Sequence, residues 1–187
     1  MVRKRDYANQ LTLSRIHISQ FMQTILYFLF KYTPLFYWTQ SLWRDEAFSV
    51  WIAQDSIQEV IRRTSGDFNP PFYYLLLHLW MLLFGRSEIA LRGLSILAFL
   101  LFLLVVYKFA LVIFKDKKAA VYTACLMAAN PMLLYFAFEI RMYSLLTMLA
   151  TLSMYFLYTN NWIGYIISAS LGMYTQPFMA FVILAQN

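Results

Sequence analysis

One cysteine, two histidines and five glycines in 187 residues leave little material for covalent staples, metal clusters or phosphate-cradling loops. Cys125 stands alone inside an apolar run, so there is no disulfide framework and no thiolate metal site. No metal-ligand spacing, P-loop, glycine-rich dinucleotide turn or serine-hydrolase elbow occurs. Charge is scarce too: 13% of residues are charged and 61% are hydrophobic, with a mean hydropathy of +0.58. A soluble domain has about a quarter of its residues charged and about half apolar, so this composition excludes an ordinary water-soluble fold. No internal repeat and no low-complexity tract is present.

What the chain does contain is long apolar runs, such as Leu94 to Phe114, Ala119 to Phe138 and Met142 to Tyr158. Each approaches the roughly 20 residues that a helix needs to cross the hydrocarbon. Barrel strands would alternate polar and apolar residues over about 10 positions, and no such alternation is found. The sequence therefore predicts an all-α integral membrane protein. Its apolar segments are 18–42, 70–84, 90–114, 119–137, 142–159 and 161–186. The first is long and lacks a small-residue cleavage signature, so it reads as a retained span rather than a signal peptide. The net charge of +6 does not form a nucleic-acid face. Arg3, Lys4, Arg5 and Arg15 precede the first run, and Lys115, Lys117 and Lys118 separate two later ones, as in cytoplasmic loops.

The segment 70–84 is short. Pro70-Pro71 opens it and Gly85 closes it; its length is about 22 Å at 1.5 Å per residue, against a hydrocarbon core of about 30 Å. If it crossed, Lys115-Asp116-Lys117-Lys118 would face outward, against the positive-inside tendency. It is therefore expected to lie at the outer interface. That leaves about five transmembrane helices, a cytoplasmic basic N-terminus over 1–17, and a membrane domain over 18–187 with a long external loop at 43–89. The expected location is the plasma membrane, with the N-terminus inside.

Within the loop, Phe48, Trp51 and Ile52 share one helical face, and Ile57, Val60 and Ile61 restart on another phase. Ser56 and Glu59 have the spacing of a capping box, so two short juxtamembrane helices should break near Asp55. Asn69 before Pro70 is expected to cap the next helix. Lys31 and Pro34 predict a kink in the first span.

Three clusters could carry chemistry: Trp43-Arg44-Asp45-Glu46, Asp67 to Tyr74, and Glu139-Ile140-Arg141-Met142-Tyr143. All three fall on the outer side by the topology above. A transferase using a lipid-phosphate sugar needs a carboxylate base near the acceptor hydroxyl and cations near the departing phosphate. Plainer roles compete. Asp45 and Glu46 could cap a helix, Glu139 and Arg141 could mark a membrane boundary, and His78 among leucines reads as a packed side chain.

WRDEAFS after the first span, DFNPPFYYLLLHLWMLLFG, RSEIALRGLS and NPMLLYFAFEIRMYSLL occur in that order. Over roughly residues 20 to 185 they resemble the C-type membrane glycosyltransferases related to protein O-mannosyltransferases, in particular a bacterial branch of them, and more distantly the aminoarabinose transferases. The resemblance implies an enzyme that takes a sugar from a polyprenyl-phosphate donor and passes it, with inversion, to a glycan, lipid or protein acceptor. It also implies roles for individual residues. Asp45 would be the catalytic base and Glu46 its neighbour. Arg141, with Glu139 and Tyr143 beside it, would face the donor phosphate, and Arg92 would be a second phosphate contact. Asn69 and Pro70-Pro71 would shape the floor. No cofactor is required, although Asp45, Glu46 and Glu139 could ligate a hard divalent ion. Relatives of this kind run longer, so the chain is expected to be incomplete at its C-terminus. A non-catalytic polyprenyl-phosphate binding or transport protein and an inactive bundle are the alternatives.

Overall fold

The computed structural model describes Gln20, Gln23, Thr24, Tyr27 and residues 34–186, with the backbone alone at Pro34, Leu35 and Thr39. The basic segment 1–17, most of the expected first span and Lys31 lie outside these residues. Pro34 opens a 3-10 helix, Pro34–Thr39, in a unit comprising residues 1–39. The second unit, 40–187, carries everything that follows. Its described residues form nine α-helices and no strands.

Two short helices come first, α1 at Arg44–Ala53 and α2 at Ile57–Thr64. They break where the change of phase places the break. Ser56 caps α2 by accepting from the Glu59 backbone N–H (3.4 Å). The reciprocal half of the box is diverted, because the Glu59 carboxylate takes Arg62 at 2.6 and 2.8 Å and Arg63 at 3.0 Å. Only part of the expected α1 face is buried. Ile52 is inside with Glu46, Ser49 and Ala53, whereas Phe48 and Trp51 stack on each other on the exposed side.

Helix α3, Phe72–Phe84, starts three residues after Asn69, so Asn69 is not its cap. Each residue that precedes a proline is driven out of the helical region, which holds off Asn69 and Pro70 in turn. Pro71, already helical at φ −76° and ψ −17°, is the cap residue. Asn69 instead donates to Asp67 Oδ2 at 3.5 Å. Further along, α3 is tied back to the α1 layer. His78 Nδ1 lies 2.9 Å from the Ala53 carbonyl, and Arg86 just past the helix donates to the Gln54 carbonyl at 3.3 Å. Tyr73 and Tyr74 at its start pack with Ile52, Ile140 and Met142.

Helix α4, Glu88–Phe114, has 27 residues and is the one helix among the described residues long and apolar enough to cross a bilayer; at 1.5 Å per residue it is about 40 Å long. Lys115, in the left-handed conformation, and Asp116 turn the chain into α5, Lys117–Ala128. The apolar segment 119–137, expected as one helix, is bent by 66° between α5 and α6, Pro131–Ala137. Pro131 has no N–H to continue the ladder, and Asn130 Oδ1 restarts the helix by accepting from Met132 N and Leu133 N. Helix α7, Tyr143–Tyr158, and α8, Trp162–Thr175, form an antiparallel pair. The segment 161–186 is likewise divided, at Gln176-Pro177-Phe178, with α9, Met179–Gln186, following the break.

These helices bury small and polar residues and expose large apolar ones. On α8 the inner stripe is Ser168, Ala169, Gly172 and Thr175, while Ile163, Ile166 and Ile167 point outward. Leu97, Leu100, Leu101 and Leu104 do the same on α4, whose inner face includes Arg92, Ser95 and Ala98. Lipid selects this pattern: it gives no hydrophobic reason to bury leucine between helices, and small residues allow close approach. Gly164 shows how close the approach is, since a Cβ there would meet the Phe156 ring at 2.6 Å. Gly164→Leu should destabilise the chain in detergent by about 1–3 kcal/mol, read as a lowered unfolding temperature. Gly66→Ala, whose Cβ meets nothing within 4 Å, should leave it unchanged.

Candidate functional site

At one end of α4 three distant stretches of sequence meet on a single carboxylate. Glu46, in the first turn of α1, is 2% exposed. Its Oε2 accepts from Arg92 Nη2 at 2.9 Å and from the Trp43 backbone N–H at 3.4 Å. Its Oε1 accepts from the Ile140 N–H at 3.0 Å. Arg92 is equally buried and donates through Nη1 to the Gln40 carbonyl at 2.7 Å. The start of α1, the first turns of α4 and the α6–α7 link are thereby fastened together. Ser95 adds a hydrogen bond to the Arg141 carbonyl at 3.4 Å, and Ser144 one to the Phe136 carbonyl at 3.0 Å.

Asp45 follows a different course. It lies next to Glu46 on α1, about 100° round the helix, and its side chain is 44% exposed. With Arg44, Ala47, Phe48 and Trp51 it lines an open pocket of about 510 Å³. Arg141 approaches it from the α6–α7 link: Nη2 is 3.8 Å from Asp45 Oδ2, and Nη1 is 3.5 Å from the Asp45 carbonyl oxygen. The Arg141 guanidinium also lies 5.7 Å from the Tyr143 ring centre. Arg63 covers Trp51, one of the lining residues, at 4.0 Å and donates to the Trp51 carbonyl at 2.6 Å.

The sequence-derived candidates thus separate into two groups. Asp45, Arg141 and Tyr143 come together beside the pocket. Glu46 and Arg92 are committed to each other, so neither lines it; Arg92 cannot turn to a phosphate without abandoning a buried carboxylate. Glu139 is 5% exposed and also buried. Burial pushes its carboxyl above the ordinary range, and the nearby Glu46 charge adds to this. Asn69 faces Asp67 and the Tyr74 neighbourhood. The conceivable divalent-ion trio of Asp45, Glu46 and Glu139 is not convergent, because both Glu46 oxygens are already taken. Among the described residues no three His, Cys, Asp or Glu side chains are placed to hold a metal.

Two groups of residues take a place at the site that no individual role in the sequence reading assigns. Arg44 and the Phe48–Trp51 stack form the pocket wall. The Tyr73 and Tyr74 hydroxyls, Glu139 Oε2 and Arg141 Nε are buried without a well-formed hydrogen bond, the two hydroxyls lying near Ser95 and Asn69. These atoms lie in one polar neighbourhood that includes Ser95, Asn69 and Tyr143. A tyrosine pair at the start of an otherwise apolar helix was the available signal.

Two outcomes follow. Glu46→Ala or Arg92→Ala leaves a buried charge unpaired and should each cost about 3–5 kcal/mol; the double variant should cost much less than their sum, measured as a thermodynamic cycle in detergent. Because the folded-state pKa of Glu139 is raised, its protonated form favours the fold. That contribution is full below the ordinary carboxylate range and is lost as pH rises through the raised value. Glu139→Gln should therefore match the wild type in acid and exceed it in stability near neutrality.

No curated protein and no solved structure matches this chain. Residues 69–186 match the dolichyl-phosphate-mannose-protein mannosyltransferase family. That span covers more than half of the chain and includes α3, the Arg92 end of α4 and the Glu139–Tyr143 link. The chain therefore belongs to the dolichyl-phosphate-mannose-protein mannosyltransferase family, a family of membrane glycosyltransferases.

Proposed function

We propose that this protein transfers a sugar from a polyprenyl-phosphate donor to an acceptor hydroxyl, with inversion, at the outer face of the plasma membrane. The observation that carries this reading is the meeting of Asp45 and Arg141 beside an open pocket. An inverting displacement needs both groups at once. Asp45 takes the proton from the acceptor hydroxyl as its oxygen attacks the anomeric carbon. The bond from that carbon to the lipid phosphate breaks, and the phosphate leaves with its charge against Arg141. Arg44, at the pocket wall, is a second cation within the same space. Glu46 and Arg92 act as positioning residues that hold Asp45 where Arg141 can reach it.

The topology we infer has five crossings, with α3 lying in the outer interface. The tethers from α3 to Ala53 and Gln54 support it, since they keep the helix beside α1 rather than carrying it to the other end of α4. Lys115, Lys117 and Lys118 at that other end would then be cytoplasmic.

Asp45→Asn should keep the helical fold and lower transfer from a polyprenyl-phosphate sugar in membranes by about 10²–10⁴-fold, the range a general base supplies. Retained transfer would remove Asp45 from the chemistry. Loss of lipid binding in Arg141→Ala, with Asp45→Asn fully functional, would favour a carrier-binding role without catalysis.

A further inference from the structure

The opposite end of α4 carries a second charged feature that the transfer chemistry does not use. Lys108, Lys115, Lys117 and Lys118 are all exposed, and none forms an ion pair among the described residues. The one carboxylate among them, Asp116, is occupied as the cap of α5, accepting from Lys118 N at 3.0 Å and Ala119 N at 3.3 Å. Three lysines therefore flank one tight helix-to-helix turn, with Lys108 two turns before it and Asp116 as the single carboxylate among them. Lys108 lies two turns before Lys115 on the same face of α4.

The surroundings determine what such a cluster can bind. Ile113 and Phe114 before the turn, and Val121 and Tyr122 after it, are large and exposed. Tyr158 and Trp162, at the α7–α8 turn, are exposed as well. They stand at the same level, because the Phe109 ring on α4 lies 5.7 Å from Tyr158 and 6.1 Å from Tyr155. Lysines beside tyrosine, tryptophan and lipid-facing aliphatic residues describe a membrane interface. A polyanion such as nucleic acid would meet the lysines but leave this apolar rim in water. An amphiphile with a negative headgroup satisfies both.

We propose that the Lys108–Lys118 turn is a binding site for anionic phospholipid. The headgroup phosphate sits at the lysines of the turn, with Lys108 adding positive charge along α4, and the acyl chains lie along Phe114, Val121 and Tyr122. Each lysine near an anionic surface is worth roughly a fivefold gain in binding, so a cluster of four gives a strong preference over zwitterionic lipid.

The test uses the full chain purified in a non-ionic detergent and titrated with phosphatidylglycerol or phosphatidylcholine, with bound lipid counted by native mass spectrometry. Wild type should hold phosphatidylglycerol at least about tenfold more tightly, and the preference should shrink as salt rises. K108Q/K115Q/K117Q/K118Q should lose it while keeping its helical circular dichroism. Arg62→Gln, an exposed cation on α2, should keep it. Equal binding of the two lipids by wild type would overturn the proposal, as would a preference insensitive to salt; both readings survive a misfolded quadruple variant. Displacement by an equal concentration of inorganic phosphate would show a simple anion site and overturn the lipid assignment.

Discussion

The rest of the second unit depends on the carboxylate of Glu46. Three donors from three parts of the chain converge on it: Arg92 from α4, the Ile140 amide from the α6–α7 link, and the Trp43 amide at the start of its own helix. Removing a charge from water is expensive, and an ion pair compensates only when its geometry is good and the remaining hydrogen-bonding capacity is met. Here the carboxylate is met on both oxygens, and Arg92 extends the lock to the Gln40 carbonyl. Apolar contacts between helices tolerate sliding. A buried carboxylate that must meet a guanidinium and an amide at about 3 Å does not, so it sets the register of α1 against the membrane helices.

Away from that end the construction relies on close approach. The inner stripe of α8 is small and polar, and serines and threonines on these helices return their hydroxyls to carbonyls one turn earlier, as Ser168 does to Gly164 and Thr175 to Leu171. Side chains that satisfy themselves locally can face a neighbour without leaving an unmet group in an apolar setting. The two breaks, at Asn130-Pro131 and at Gln176-Pro177, interrupt what hydropathy alone reads as continuous spans. Hydropathy sums composition over a window and is blind to one missing N–H, so 119–137 and 161–186 scored as single helices while the backbone bends in each.

Local chemistry was legible and remote pairing was not. The α1–α2 break, the Ser56 cap and the α3 helix could be read because their causes lie within a few residues of one another. The capping preference of Asn69 is overridden by the second proline, which holds Pro70 out of the helix and moves the start to Phe72. Glu46 and Arg92 were both chosen as site residues on type and neighbourhood, but nothing local reveals that residues 46 apart in sequence are paired. Tyr73 and Tyr74 fall in one of the three clusters but take no individual role from sequence, because tyrosine is common at membrane interfaces, a statistic that says nothing about two hydroxyls buried beside an arginine.

The adjacency of Asp45 and Glu46 shows how one short motif serves fold and site together. Successive residues on a helix diverge by about 100°, so the two carboxylates of this pair cannot share a fate. One turns inward and becomes the most heavily bonded side chain of this end of the molecule. The other turns outward, stays half-exposed and meets Arg141 at only 3.8 Å. The loose contact follows from the tight one: with Glu46 and Ile140 joined, Arg141, one residue on, is brought to Asp45 without a close ion pair that would hold the carboxylate away from an incoming hydroxyl. The base of the proposed reaction must be positioned yet remain available, and an adjacent carboxylate that supplies the positioning leaves the second open to that role. The buried polar atoms of Tyr73, Tyr74 and Glu139 beside this pair lack well-formed hydrogen bonds and are costly for the fold to keep. Their concentration at this end, rather than along the lipid-facing helices, is what a site under functional demand would look like.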